Sequence, residues 1–350
     1  MASNLAAKKI LILKLGAIGD VVMALSMINA IREEFGETKV TWICGKTVLP
    51  LLERVIGIDR IIVIDDKKLY TGSLFQKLFQ VLDLWRKVFL DHYDIVFNGY
   101  RNKLYKHLLL PVLSKMYIDF SGSGDKTFLK ECYHSDEYCR VLLGKDSSHT
   151  KNYGFPSLQI ENIAEPKTEL SKDRVILAPG GAKNILRDDA LRRWQIENYF
   201  QTAKQLLEYG YKVSIIGSET DNWVNEYFYN LEIENLVGKK NLIELIQLFN
   251  NSNLLITHDT GVLHLAKLSQ IKIIALFGPV NWKERVSPKE NVDVIWQGKE
   301  LSCSPCYDGI NFAKCYNNLC MKNISVELVI SKVLHYSKNN FGKNPSITVN

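Results

Sequence analysis

Lys9-Ile10-Leu11-Ile12-Leu13-Lys14-Leu15-Gly16-Ala17-Ile18-Gly19-Asp20 is an apolar run that ends in two glycines and a carboxylate. From Asp20 to Phe35 the apolar residues Val21, Leu25, Ile28 and Ile31 then recur at helical spacing. A buried strand that passes through a glycine turn into an amphipathic helix opens a parallel sheet covered by helices. The alternation continues outward. Val40–Cys44, Ile61–Ile64 and Asp94–Phe97 read as strands, with helices predicted over Val48–Val55 and Leu74–Leu90. The second of these helices carries Leu74, Leu78, Val81, Leu82, Trp85 and Phe89 beside Lys77, Arg86 and Lys87, which suits a core-facing helix with a solvated side better than one lying on a membrane.

Between Ser147 and Ser171 the periodicity stops and Pro156 and Pro166 appear, so a linker is expected at 148–171. A second series follows, with strands at Arg174–Ala178, Lys212–Gly217, Asn253–Thr257 and Lys272–Phe277. Its helices are Trp194–Tyr209, Leu242–Asn250 and Gly261–Leu268. Two Rossmann-like, doubly wound α/β domains are therefore predicted, over 1–147 and 172–323, followed by a helix over 324–337 and a polar tail over 338–350. Such folds bind ligands at the carboxyl ends of their strands.

The 350 residues, 46% hydrophobic and 23% charged, suit two globular domains and exclude a disordered, collagen-like or coiled-coil chain. No apolar stretch reaches membrane-spanning length, and the first residues lack the apolar core of a secretory signal, so a cytoplasmic protein is expected. The net charge of +6 is spread along the chain without a basic module, which argues against nucleic acid and suits a phosphorylated ligand or an anionic membrane surface. Seven cysteines do not make a secreted disulfide framework. Four of them, Cys303, Cys306, Cys315 and Cys320, are spaced x2, x8 and x4, which is compatible with a structural zinc or iron site, with reduced thiols or with disulfides.

Two strand-to-helix junctions carry the candidate chemistry. In the first, Gly16 and Gly19 allow a tight turn and close approach of a ligand, but their spacing is not the G-x-G-x-x-G of a dinucleotide site. Asp20 has two readings there, a helix cap or a general base for a hydroxyl. The second junction is Thr257-His258-Asp259-Thr260-Gly261-Val262-Leu263-His264, where free amides and hydroxyls suit a diphosphate. Asp259 reads equally as a cap, and His264 as a buried, hydrogen-bonded residue.

Gly16-Ala17-Ile18-Gly19-Asp20, Asp259-Thr260-Gly261 with His264, and Leu276-Phe277-Gly278-Pro279 together resemble glycosyltransferase family 9, the ADP-heptose:lipopolysaccharide heptosyltransferases. The resemblance runs from Lys8 to about Tyr336 and is weakest over 101–171. It implies a GT-B type fold, two Rossmann-like domains facing a central cleft with the C-terminal helix returning to the first domain. It also implies an inverting transfer of heptose from an ADP-sugar to the lipopolysaccharide inner core. No D-x-D-like metal motif stands out in the sequence, so the chemistry itself is expected to need no cofactor. By this resemblance Asp20 is the general base, Arg192 two residues before Trp194 contacts the diphosphate, and Asp221 holds the ribose hydroxyls. Asp259, Thr260, Gly261 and His264 complete the donor site. Lys183 and Arg187 are rivals of Arg192, and Glu219 of Asp221. After Gly278-Pro279 this chain has Val280-Asn281-Trp282 where relatives have Thr, an acidic residue and Pro. Two alternatives stand beside this reading. One is a protein O-heptosyltransferase with metal at the cysteine cluster, and the other is a nucleotide-sugar-binding protein without transfer activity. The expected partners are a nucleotide sugar, a lipopolysaccharide or protein acceptor and the inner face of the cytoplasmic membrane, with no nucleic acid.

Overall fold

The computed structural model describes residues 8–120, 127–149, 151–160, 174–183, 185–309 and 311–341. The chain divides into two compact units, the first built mainly from residues up to Glu161 and the second from the rest.

In the first unit β1 (Lys8–Leu13) leads into α1 (Ile18–Ala24) and α2 (Ser26–Phe35). Then come β2 (Thr38–Gly45), α3 (Leu49–Leu52), β3 (Arg60–Ile64), α4 (Asp66–Thr71), α5 (Leu74–Val88), β4 (His92–Asn98), β5 (Leu113–Asp119) and α6 (His134–Leu142). The five strands are all parallel, in the order β3-β2-β1-β4-β5. Ile10, Leu11, Ile12 and Leu13 are fully buried, as expected for a central parallel strand covered on both faces. The single helix predicted over 20–35 is two. Its break at Leu25 coincides with buried hydroxyl contacts, in which Ser26 Oγ donates to the carbonyls of Met23 and Ser135 and Ser135 Oγ donates to Met23. α6 is buried although polar, because Arg140 donates to the Glu137 carboxylate through both Nε and a terminal nitrogen, at 2.8 and 2.7 Å.

The second unit runs β6 (Arg174–Ala178), α7 (Ile196–Glu208), β7 (Lys212–Ile215), α8 (Asn225–Phe228), β8 (Glu234–Asn235) and α9 (Leu242–Asn250). It continues with β9 (Leu254–His258), α10 (Gly261–Ala266), β10 (Lys272–Phe277), β11 (Val292–Trp296), α11 (Leu319–Lys322) and α12 (Val326–Phe341). Its six parallel strands take the order β11-β10-β9-β6-β7-β8. In each sheet the strand order reverses beside the first strand of the unit, between β1 and β4 and between β6 and β9. Those are the topological switch points at which doubly wound sheets bind ligands. The expected fold class is the one observed: two α/β units built on parallel sheets.

Two boundaries differ from expectation. Residues 151–160, predicted as linker, are held on the first unit. Ile56 N–H donates to Ser157, Gln159 N–H to Arg54, and Asn29 to the Tyr153 carbonyl. The rest of the predicted linker from 161 on, like the tail beyond 341, lies outside the described residues. The C-terminal helix, expected to return to the first domain, instead spends its apolar side in the core of the second unit. There Val326, Val329, Ile330 and Val333 share one buried cluster with Tyr199, Ala203 and Leu206 of α7. Among the described residues no helix is long and apolar enough to cross a membrane.

Candidate active site

At the β1–β4 switch point the chain turns from Leu13 into α1, with Ala17 in the N-cap position. Asp20 is the third residue of the helix, so its carboxylate belongs to the first turn and is not the cap. The side chain is about half exposed (49%) and takes a hydrogen bond from Lys14 Nζ at 3.1 Å. Lys14 is buried. Its ammonium also donates to the Gly99 carbonyl at 3.2 Å and stands 4.5 Å from the centre of the Tyr100 ring and 5.6 Å from that of Tyr138. Burial alone pulls the Lys14 pKa down, but Asp20, Tyr138 and Tyr100 together outweigh it and hold the group well above its ordinary 10.5. Lys14 therefore supplies a fixed positive charge beside an open carboxylate.

The turn itself is held by Tyr100. Its hydroxyl accepts from the N–H groups of Leu15 (2.8 Å) and Gly16 (3.3 Å) and donates to the Gly16 carbonyl (3.1 Å), while its ring stacks on Tyr105 at 3.7 Å. Gly16 faces open space, since a Cβ placed there would meet nothing within 4 Å. Gly19 is buried within α1.

At the β6–β9 switch point three loops are tied together. Gly181, with φ of +84°, donates its N–H to Asp221 Oδ1 at 2.8 Å, and Ala182 N–H donates to Thr260 Oγ1 at 3.2 Å. A Cβ at Gly180 would lie 2.5 Å from Asp221, and one at Gly181 2.4 Å from Thr260 Oγ1. The other Asp221 oxygen accepts from Ser218 N–H (2.8 Å) and Ser218 Oγ (2.7 Å). Asp221 is buried, and both of its oxygens are engaged in shaping the loops, which leaves it poorly suited to the ribose contact expected of it. Glu219, at the start of the same short helix, is exposed.

Arg192 ends a short 3-10 helix. Its guanidinium lies 3.4 Å from Asp189 and 3.3 Å from Asp259, and 5.2 and 5.4 Å from the ring centres of Tyr307 and Phe312. Asp259 is buried and also lies 3.7 Å from His264 Nε2. It stands one residue before Thr260, the N-cap of α10, so its carboxylate faces Arg192 and His264. Gly261 is the first residue of that helix. Lys183 is exposed, on the same loop as Gly181, and its backbone pairs with that of Asp188 in an isolated antiparallel bridge. His258, one residue before Asp259, is fully buried against the Tyr199 hydroxyl at 3.1 Å. Burial first, and Arg193 and Arg192 after it, push its pKa down to about 3, so it is neutral.

The chain over 303–320 is responsible for the aromatic pair. The N–H groups of Cys306 and Tyr307 both donate to the Pro279 carbonyl at the end of β10. Tyr307 and Phe312 then pair across a tight turn with ring centres 4.7 Å apart. The four cysteines flank that turn. They lie near enough to raise one another: burial, then Cys315 and Cys303, lift Cys306, and burial, then Cys306, Cys315 and Cys303, lift Cys320 to about 11. Asn318 engages two of the sulfurs, its N–H donating to Cys315 Sγ (3.2 Å) and its Oδ1 accepting from Cys320 Sγ (3.5 Å). Among the described residues no group of three or more His, Cys, Asp or Glu side chains is arranged to hold a metal ion. The expected zinc or iron site is not supported.

Residues 142–317 match the family model for glycosyltransferase family 9 (heptosyltransferase). The chain belongs to glycosyltransferase family 9. Among curated relatives it is 27% identical over 309 residues to the lipopolysaccharide core heptosyltransferase OpsX of Haemophilus influenzae, covering 83% of this chain and 84% of that one. It is 26% identical to lipooligosaccharide heptosyltransferase 2 of a Campylobacter jejuni strain, covering 90% and 95%. Its fold is similar to that of the solved E. coli ADP-heptose lps heptosyltransferase II, with TM-score 0.68, 17% identity and coverage of 95% and 99%. A likeness of fold also extends to the iron-containing dodecameric glycosyltransferase TibC of enterotoxigenic E. coli, with TM-score 0.62, 13% identity and coverage of 96% and 78%. This family 9 chain is a glycosyl-transferring enzyme, and the residues matched include its second junction. Sequence reasoning missed Tyr100, Tyr138, Tyr307 and Phe312. It also passed over Lys14, although a lysine closing an otherwise apolar strand was a visible signal.

Proposed function

We propose that this enzyme transfers a heptose from ADP-heptose to the inner core of lipopolysaccharide by a single inverting displacement. The names of the relatives give the sugar and the acceptor class, and the Asp20–Lys14 pair is the observation that carries the mechanism. Asp20 is the open carboxylate of the first unit's switch point, and Lys14 holds a permanent charge beside it. In the displacement the acceptor hydroxyl gives its proton to Asp20 while its oxygen bonds to the anomeric carbon. The bond from that carbon to the diphosphate breaks, and the electron pair leaves with the ADP. Negative charge develops on the leaving oxygen, where Arg192 and the amides around Thr260 and Gly261 stabilise it. Lys183, exposed on the neighbouring loop, adds a second cation. Glu219 takes the ribose role in place of Asp221, since a carboxylate with free acceptor capacity suits a pair of hydroxyls. We propose further that the enzyme works in the cytoplasm, at the inner face of the membrane that carries its acceptor. The protein-acceptor alternative rests on the cysteine cluster, and metal analysis of the purified protein beside its solution mass tests it.

Replacing Asp20 by Asn removes the base and keeps the shape. Transfer from ADP-heptose should fall by roughly a hundredfold to ten-thousandfold, with ADP affinity unchanged in calorimetry. Turnover within a few-fold of the parent enzyme would remove Asp20 from the mechanism.

A further inference from the structure

α5 divides its surface three ways. Taking 100° per residue, Gln76, Gln80, Asp83 and Lys87 share one sector. Val81, Lys77 and the buried Leu84 and Val88 share a second, whose apolar members pack on the sheet, and Trp85 and Arg86 fall in the third. Leu74, Phe75, Leu78, Phe79 and Leu82 fill the rest of that third sector and are exposed, by 84, 86, 55, 66 and 49%. The apolar core uses only the second sector, while Gln80 and Lys87 of the first hydrogen-bond to Asp65 and Val63. The helix is nevertheless well built, with a capping box in which Ser73 Oγ accepts from Gln76 N–H and the Gln76 side chain accepts from Ser73 N–H. The apolar surface continues into the 3-10 segment packed beside it, where Trp85 Nε1 donates to the His107 carbonyl and Leu104 and Leu110 are 69 and 58% exposed.

This surface lies in the most positive part of the chain. Residues 65–116 hold nine Lys and Arg against five Asp, which is four of the six net positive charges of the whole protein. Several of these cations are neutralised locally, as in Lys87–Asp83 and Lys115–Asp94. Among the described residues Lys67, Lys77, Arg101 and Lys106 take part in no ion pair with a carboxylate.

We propose that this face of α5, extended by Leu104 and Leu110, docks on an anionic phospholipid bilayer, with the aromatic and leucine side chains at the acyl boundary and the unneutralised lysines at the headgroups. An exposed apolar sector on a helix that also carries Lys77 and Arg86, within a segment of net positive charge, is the composition of an interfacial helix. A second copy of the chain is a poorer occupant, because a two-fold contact through this face would set the same positive region against itself. The choice of a bilayer also rests in part on the lipid-linked acceptor proposed above.

Co-sedimentation with phosphatidylcholine vesicles, with and without one third phosphatidylglycerol, tests the proposal. The comparison is between the parent enzyme, the Phe75→Ser/Phe79→Ser variant and the Lys67→Gln/Lys77→Gln/Lys106→Gln variant. The parent should partition onto the anionic vesicles and hardly at all onto the neutral ones. The phenylalanine variant should lose at least roughly tenfold in partition, and the lysine variant roughly fivefold per charge at low salt. Circular dichroism and transfer to a detergent-soluble acceptor should stay at parental values for both, since none of these residues is buried or belongs to the site. Equal partition of the parent and the phenylalanine variant overturns the proposal. So does a parent that ignores the vesicles, or whose solution mass is that of a dimer which the phenylalanine variant dissociates. Vesicle binding without heptosyl transfer would count against the proposed reaction alone, and transfer without vesicle binding against the docking face alone.

Discussion

Tyr307 and Phe312 can be removed without touching any charged group of the site, and the structure fixes what should follow. Their ring centres lie 5.2 and 5.4 Å from the Arg192 guanidinium, whose side chain is only 16% exposed. A cation over an aromatic face is worth about 1 kcal/mol when partly shielded from water, so the two rings together hold Arg192 in place by about 2 kcal/mol. If Arg192 binds the diphosphate, replacing both rings by alanine frees the guanidinium to swing, and the lost preorganisation should appear in the donor. The Kd for ADP would rise about 30-fold at 1.4 kcal/mol per decade. The thermal midpoint should also fall, by roughly 4–8 °C for 2 kcal/mol in a unit of this size, because the same contacts hold Arg192 in the unliganded protein. The informative measurement is a double-mutant cycle in which ADP binding is followed by calorimetry in the parent, the Tyr307→Ala/Phe312→Ala variant, Arg192→Met and their combination. Once Arg192 is gone the rings should no longer matter, so the coupling should recover nearly all of the 2 kcal/mol. An equal loss from the ring substitutions with and without Arg192 would refute the argument, since the aromatics would then act on the ligand or on the fold and not through the guanidinium.

Gly181→Ala should destabilise the second unit by about 1–3 kcal/mol, because φ there is +84° and the new Cβ would press on Thr260 Oγ1 at 2.4 Å. Denaturant unfolding would show it, and a variant as stable as the parent would show that the loop can shift. Lys14 has its pKa raised on folding, so its contribution is complete below the ordinary 10.5 and disappears as pH climbs through the higher folded value. In Lys14→Met the alkaline fall in thermal midpoint above about pH 10.5 should therefore be shallower, and an identical alkaline limb would contradict the pairing. His258 works in the other direction, since its folded pKa is depressed to about 3 from 6.5. The unfolded chain takes up a proton as pH falls through 6.5 while the folded one does not, which removes roughly 2 kcal/mol between pH 6 and 4. His258→Gln should flatten that acid limb, and an unchanged slope would mean that other groups carry it.

Most of the sheet scaffold was legible because parallel strands covered on both faces must be apolar along their whole length. Arg174–Ala178 and Lys272–Phe277 could be read to the residue. β5 escaped because it is an edge strand whose first four residues are exposed, and it therefore lacks the apolar run that marks the others. α6 escaped for the opposite reason. It is buried but carries a paired arginine and glutamate, and sequence pattern reads such charges as solvated. The split at Leu25 has no glycine or proline to announce it, and depends on serine hydroxyls from two helices meeting in space.

The same distinction between local and assembled signals explains the site. Asp20 and Asp259 stand where a strand meets a helix, and that position is written in the chain itself, so both could be named as candidates. Their roles depend on neighbours that arrive from elsewhere. Lys14 is six residues from Asp20, but the rings beneath it come from Tyr100 and Tyr138. Arg192 is confined by residues 67, 115 and 120 positions further on. Asp221 is the instructive case. The family resemblance gives it a ribose contact, while the two glycines of another loop approach it so closely that both of its oxygens accept bonds from Gly181 and Ser218. Pro179-Gly180-Gly181 was the sequence signal of that approach. Glycines that admit a side chain from another loop and glycines that admit a ligand look alike until the third dimension is known. The distinction matters for what Asn would do in each place. Asp20→Asn should leave the fold intact and stop the chemistry. Asp221→Asn should instead loosen three loops at once, because an amide can offer only one acceptor oxygen where the carboxylate offers two.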